Sequence, residues 1–239
     1  MLAETLIYAT SYFATPEPFR PHIYEAVGLW ARGRRQAQAW LPHTRKTASH
    51  IERMIAKLPQ RRTVVVLGSG PLFDVPVEFL ARHFERVVLV DRAHIAPARR
   101  RTRGHANIRH DWRDLSAATM ADPLGFLAGM PELDWVISIN LVSQLAAGAP
   151  FGSERKVVDA HLDDLTRLPC AVSLVTDVSY RTLDRGGGER EQFDLLYGRR
   201  LPQPERSWEW EVAPLGEESR ATRRVHKVAF YPDWKQAAA

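Results

Sequence analysis

Hydrophobic positions change their period twice along this chain. From Pro21 to Leu58 they recur every three or four residues, so that Ile51, Met54, Ile55 and Leu58 share one side of a helix, opposite Arg45, Lys46 and Arg53. Ile23, Val27, Trp30 and Ala37 predict another helix before it, with Pro42 as the break between the two. These helices precede the first strand and make residues 1–60 a helical extension, placed to cover a sheet face or the mouth of a ligand site.

After Pro59 short apolar runs alternate with helical patterns, the texture of parallel strands joined by crossover helices. Thr63 to Leu67 is continuous and β-branched, as suits a strand covered on both faces. Asp74 is expected to cap a helix carrying Val77, Leu80, Ala81 and Phe84, with Pro76 inside its first turn. Val87 to Asp91 reads as a second strand, Asn107 to Arg109 as a short third and Asp134 to Asn140 as a buried fourth. A helix over Glu154 to Leu168 leads to a fifth strand, Cys170 to Asp177, and Gly186 to Gly188 reads as a flexible joint before another helix. Trp208, Trp210 and Val212 then alternate with polar residues, and Val225 to Tyr231 can pair with them as an antiparallel ribbon. The expected fold is α/β: a doubly wound, seven-stranded, mostly parallel sheet with an antiparallel terminal strand over residues 61–239, plus the N-terminal helical extension. No internal repeat is visible, and the only low-complexity piece is Ala237 to Ala239.

Composition sharpens this picture modestly. The 239 residues are 45% hydrophobic and 26% charged, ordinary for a packed globular chain. One cysteine, Cys170, excludes an internal disulfide framework and a thiolate metal cluster, and predicts a reducing, cytoplasmic setting. Met1 to Tyr8 lacks the basic start and long apolar run of a secretory signal, and no stretch is apolar enough for a membrane span. The net charge of +5 would assist binding to acidic partners, but its arginines are scattered, the densest runs being 32–35, 99–101 and 220–224. None carries the interleaved aromatics of a single-strand binding platform, so nucleic acid is not the favoured partner. The nine histidines show no convincing metal spacing.

The chemistry gathers at strand ends. The first strand runs into Gly68-Ser69-Gly70, where glycine lets the backbone bend sharply beside a ligand at the carboxyl edge of the sheet. Asp91, followed by Arg92, ends the second strand, and a carboxylate there can accept from both ribose hydroxyls of an adenosine. Asp111-Trp112 follows the third strand, placing an acceptor for an adenine amino group beside a side chain able to cover the ring. Asn140-Leu141 ends the fourth, next to where a transferred group would sit.

In the order of these elements the chain resembles the class I, Rossmann-like S-adenosylmethionine-dependent methyltransferases, over roughly Thr63 to Tyr231. The matches are 64–70, 88–91, 111–112 and 134–141, with the terminal antiparallel pair as the family's extra strand. The resemblance implies S-adenosylmethionine as cofactor: Gly68 to Gly70 would hold its methionine portion, Asp91 the ribose, and Asp111 with Trp112 the adenine. Two positions depart from the family pattern, Val66 for a common acid and Leu72 for a common third glycine. Asp74 is near enough to replace the missing acid as a partner for the cofactor's ammonium.

Methyl transfer needs alignment more than acid–base help, so no catalytic residue is assigned, and Tyr8, Tyr12, His22 and Tyr24 read as packing or surface groups. The acceptor is expected to be a small molecule, its pocket shaped in part by the extension. The alternatives are a Rossmann-like binding module with a decayed pocket and an RNA or protein partner, and a nicotinamide-dependent oxidoreductase. Against the latter, the spaced third glycine is missing and no Tyr-x-x-x-Lys pair follows the fourth strand.

Overall fold

The structure of the protein, a computed structural model, describes residues 2–116 and 122–238. The expected extension is therefore followed from Leu2 and the alanine tail to Ala238; Met1, 117–121 and Ala239 lie outside the described residues. Three helices come first: α1 (Leu2–Tyr12), α2 (Ile23–Arg35) and α3 (Ala37–Ile55). Then follow β1 (Thr63–Leu67), α4 (Val77–His83), β2 (Arg86–Asp91), α5 (Ala96–Thr102), β3 (Ile108–Trp112), β4 (Leu133–Ile139), α6 (Val142–Ala147), α7 (Glu154–Arg167), β5 (Ala171–Asp184), β6 (Glu189–Asp194), β7 (Arg206–Ala213), β8 (Thr222–Tyr231) and α8 (Trp234–Ala238). No helix of the described residues is long and apolar enough to cross a membrane.

All eight strands form one sheet in the order β3-β2-β1-β4-β5-β8-β7, with β6 paired to β5 off that path. β1 to β5 are mutually parallel, and β6, β7 and β8 pair antiparallel. The central strands β1, β2 and β4 and the start of β5 are largely apolar because both faces are covered. One face, carrying Val64, Val66, Leu89 and Ile137, packs on Ile23 and Val27 of α2, Ile51 and Ile55 of α3, and Leu80 of α4. The other, carrying Val65, Leu67, Val90 and Leu174, packs on Val142 of α6, Leu162 of α7 and Trp234 of α8. The alternation of side chains along these central strands thus divides their residues between two cores. The early helices are part of the first of these.

The architecture is doubly wound and mostly parallel, as expected, but several details differ. The sheet has eight strands, not seven. Gly186 to Gly188 joins no helix: it is the turn of a β5–β6 hairpin, held by Gly186 and Gly188 N–H donating to Asp184 Oδ1 at 2.9 and 2.8 Å. β5 accordingly runs seven residues beyond Asp177, carrying the sheet past its carboxyl edge. The helical break falls at Gln36, where φ is −100°, and Pro42 lies inside α3. Gln36 serves both helices, donating its N–H to Arg32 O and accepting from Trp40 N–H. The sequence pattern did not reveal α1, because it is exposed on nearly every side and shows no apolar stripe. β3 extends through Asp111 and Trp112, which lie within the strand and not after it. Asp74 does not cap α4, which begins behind Pro76 with no side-chain cap.

Candidate functional site

At the carboxyl edge of the sheet β1 breaks into a turn set against β2. Gly68 and Ser69 N–H both donate to Val90 O, at 3.0 and 3.2 Å. Gly70 N–H donates to Asp91 Oδ2 at 2.8 Å, and Ala93 N–H to Asp91 Oδ1 at 3.1 Å, so one carboxylate ties the glycine turn to the end of β2. Burial pushes the Asp91 pKa up, against the downward pull of those N–H groups. Gly68 is required here twice over: its φ is +75°, and a Cβ would lie 2.8 Å from Ile139 O on β4. The third-glycine position keeps a left-handed backbone although it carries a buried leucine, Leu72 with φ 67°.

Asn140 is also left-handed, at φ 48°, a conformation asparagine tolerates better than most residues. Its Nδ2 donates to Asp74 Oδ2 at 2.8 Å, which draws Asp74 toward the ends of β1 and β4. From the other side His43 of α3 approaches the same oxygen, Nε2 to Oδ2 being 3.5 Å. Trp208 Nε1 donates to His43 Nδ1 at 3.1 Å, which leaves the ring proton on Nε2, facing Asp74.

These groups border a cleft of about 420 Å³, within the range of small-molecule sites. The glycine turn, Asp74, Asp91 and Asn140 form its floor; Ala26, Leu29 and Trp40 of α2 and α3 form one wall; Trp210, Val212 and His226 of β7 and β8 form the other. Trp40 holds the walls together, donating Nε1 to Val212 O at 3.0 Å and standing edge-on to Trp210 and Phe73. At the far end Asp177 of β5 is buried and accepts from two donors, Ser143 Oγ at 2.6 Å and His226 Nδ1 at 2.7 Å. Four buried polar atoms on lining residues have no hydrogen-bond partner among the described residues: His43 Nε2, Ser69 Oγ, Asn140 Oδ1 and Trp210 Nε1. Buried donors and acceptors are nearly always paired, so a cleft that collects four unpaired ones is furnished for a polar ligand. A smaller cleft of about 240 Å³ adjoins it across Gly68, Asp91 and Arg92, bounded by Asp114, Leu115, Leu141 and Leu145.

Of the residues singled out in the sequence, Gly68, Ser69, Gly70, Asp74, Asp91, Arg92 and Asn140 come together around the larger cleft, and Leu141 lines the smaller. Asp111 and Trp112 line neither. Asp111 pairs with Arg113 at 3.1 Å, and Trp112 packs edge-on to His94 with centroids 4.9 Å apart. The strand continues through both residues, and it is the following segment that turns toward the ligand edge. Sequence reasoning missed His43, Trp40, Trp210, Asp177 and His226. Only Asp177 carried a signal, as an acid at the same sheet edge as Asp91; the others reach the cleft through tertiary packing alone.

No protein-family model matches the chain, and no curated protein does. Among solved structures it is similar to a DhpI–SAH complex, at 16% identity over 87% of this chain and 95% of that one, with a TM-score of 0.41. It is similar also to the N-methyltransferase NodS from Bradyrhizobium japonicum WM9 in complex with S-adenosyl-L-homocysteine, at 16% identity over 79% and 87%, with a TM-score of 0.42. A third is the 23S rRNA methyltransferase ErmE, at 14% identity over 75% and 66%, with a TM-score of 0.32. Likeness of this degree assigns neither a substrate nor a residue to this chain.

Proposed function

We propose that the protein is an S-adenosylmethionine-dependent methyltransferase acting on a small molecule. The observation that carries this reading is the meeting of the glycine turn and Asp91 at one sheet edge, beside a cleft whose Ser69 Oγ and Asn140 Oδ1 are buried without partners. When bound, the cofactor's sulfonium supplies an activated methyl group. The chain's own residues bind and orient. Asp91 keeps lone pairs free beyond its two N–H bonds and can accept from ribose hydroxyls, while Leu115, Leu141 and Leu145 of the smaller cleft form a slot for a flat adenine. Asp74, pinned by Asn140, stands where the Val66 position offers no acid and can take the ammonium.

Charge supports a small, cationic ligand over a nucleic acid. The larger cleft holds the carboxylates Glu25, Asp74, Asp91 and Asp177 against the single guanidinium of Arg92, in a chain whose net charge is +5. Such a lining attracts a sulfonium and repels phosphates. The arginine runs are largely engaged as well: Arg35 pairs with Glu217, Arg101 with Glu78, and Arg224 with Glu218 at 2.6, 2.6 and 3.1 Å.

Calorimetry with S-adenosylmethionine and S-adenosylhomocysteine tests the reading, with NADH as the competing ligand. Binding of the first two and not of NADH is expected; no heat from either at millimolar concentration removes the proposal. RNA binding that weakens steeply with salt and ignores the cofactor would favour the decayed-pocket reading instead.

A further inference from the structure

The far end of the large cleft is built differently from its floor. The pairing of β5 with β8 slips by one residue at Val178, a bulge of the kind that re-aims side chains beside ligand sites, and Asp177 sits immediately before it. Both Asp177 oxygens are engaged, Oδ1 by Ser143 and Oδ2 by His226. A carboxylate only accepts, so the proton of the neutral His226 ring is on Nδ1 and Nε2 keeps its lone pair. No protein donor takes Nε2 among the described residues. The ring is fixed as well as polarised, stacked on Tyr180 at 5.7 Å and edge-on to Trp210 at 6.0 Å. The surroundings are aromatic and apolar, with Trp40, Trp210, Val212 and Leu195 lining the same cleft.

We propose that this end is the acceptor subsite, that it takes a single-ring aromatic hydroxyl compound, and that His226 is its general base, held in place by Asp177 and Ser143. The inference rests on the methyl-donor reading above. A phenolic hydroxyl is a poor nucleophile until its proton leaves, which is the case in which a positioned imidazole accelerates the reaction. The hydroxyl oxygen forms a bond to the methyl carbon while the carbon–sulfur bond breaks. The electron pair of that bond stays on sulfur, so the sulfonium becomes a neutral thioether. The hydroxyl proton passes to Nε2, and the imidazolium so formed is stabilised by Asp177. An aliphatic ammonium acceptor fits less well, because Asp177, the carboxylate that the described residues place at this end, is already committed to two donors. The aromatic lining supplied by Trp40 and Trp210 suits a ring.

The test follows label from methyl-labelled S-adenosylmethionine into phenol, catechol and 4-nitrophenol at about pH 8, where only the last is largely ionised without help from a base. The wild-type protein is expected to methylate all three. His226→Gln should lower the rate on phenol and catechol by about 100-fold or more, within the usual range for removing a general base, and the rate on 4-nitrophenol by less than about tenfold. Its affinity for S-adenosylhomocysteine should stay within about twofold of wild type, since His226 lies away from the glycine turn. Should His226→Gln fail to fold, the nearly isosteric Asp177→Asn serves the same comparison, with a smaller loss of the same selectivity. Absence of cofactor binding sinks the methyltransferase reading itself. Cofactor binding without methylation of any phenol, or methylation of ethanolamine in their place, overturns the acceptor class. Equal losses on phenol and 4-nitrophenol overturn the base and leave His226 a structural residue.

Discussion

Asp91 serves fold and ligand with the same four lone-pair positions. Two are used to hold Gly70 and Ala93, which fixes the bend that opens the cleft, and Asp91 lines both clefts with acceptor capacity to spare. Asp91→Asn must turn an amide NH₂ toward one of those N–H groups, at a cost of about 1–3 kcal/mol, and should weaken S-adenosylhomocysteine binding by roughly 10- to 100-fold. Calorimetry and a melting curve on the same variant separate the two effects; unchanged affinity would place the ribose elsewhere. Leu72 shows a different compromise. Its left-handed backbone carries about 1 kcal/mol of strain that glycine would relieve, but its buried side chain contributes about 2–5 kcal/mol of packing. Leu72→Gly is therefore expected to lower stability by a few kcal/mol in urea titration, although it restores the residue usual at that position. At this scale the sequence was informative where one residue type is demanded by backbone geometry, as at Gly68 and Gly70. It misled at the third strand, which ends three residues beyond the expected Arg109; Asp111 and Trp112, which lie within it, line neither cleft.

The cleft wall made by α2 and α3 depends on close approach between elements. Gly33 of α2 lies against Phe73, in the segment after the glycine turn, and a Cβ there would come within 2.3 Å of the ring. Phe73 in turn meets Trp40 edge-on at 6.0 Å, and Trp40 ties α3 to β7. Gly33→Ala should therefore push Phe73 aside, cost about 1–3 kcal/mol as overpacking does, and weaken cofactor binding by loosening the wall. Pairing it with Phe73→Leu should recover part of both losses; additive losses in the double variant would show that the two residues do not share the strain. The parallel strands and crossover helices were readable as elements because burial on both faces leaves continuous apolar runs such as Thr63–Leu67. The β5–β6 hairpin was not, because β6 is exposed along its whole length and carries no apolar period. Its glycines were equally compatible with a loose joint, and the bonds that Gly186 and Gly188 N–H donate to Asp184 make them a turn.

Taken whole, the molecule buries histidines on both sides of its sheet. His161 faces Ser138 at 3.1 Å in one core, while His94 and His110 adjoin one another with centroids 4.7 Å apart near β3. Desolvation holds all three pKa values down to about 4, and for His110 the neighbouring His94 adds to the effect. In the unfolded chain the same groups titrate near the usual 6.5 for histidine. Below that value the unfolded state binds protons that the folded state refuses. The contribution to stability is thus fully present above pH 6.5 and is lost as pH falls toward 4. Each histidine steepens the loss by up to about 1.4 kcal/mol per pH unit. Burial of Asp91 and Asp164 raises their pKa values above the ordinary 3.8 and acts in the opposite sense, favouring the folded state as pH falls and offsetting part of the loss. Unfolding free energies from urea titrations at intervals from about pH 7.5 to about pH 4.5 should accordingly stay level at first and then drop, with His50, also held down by burial, adding to the fall and the two carboxylates reducing it. His161→Gln should reduce that slope by about one proton while leaving the plateau lower, since its bond to Ser138 is weakened. A level profile through the whole range would mean that these rings reach solvent and protonate without unfolding the chain.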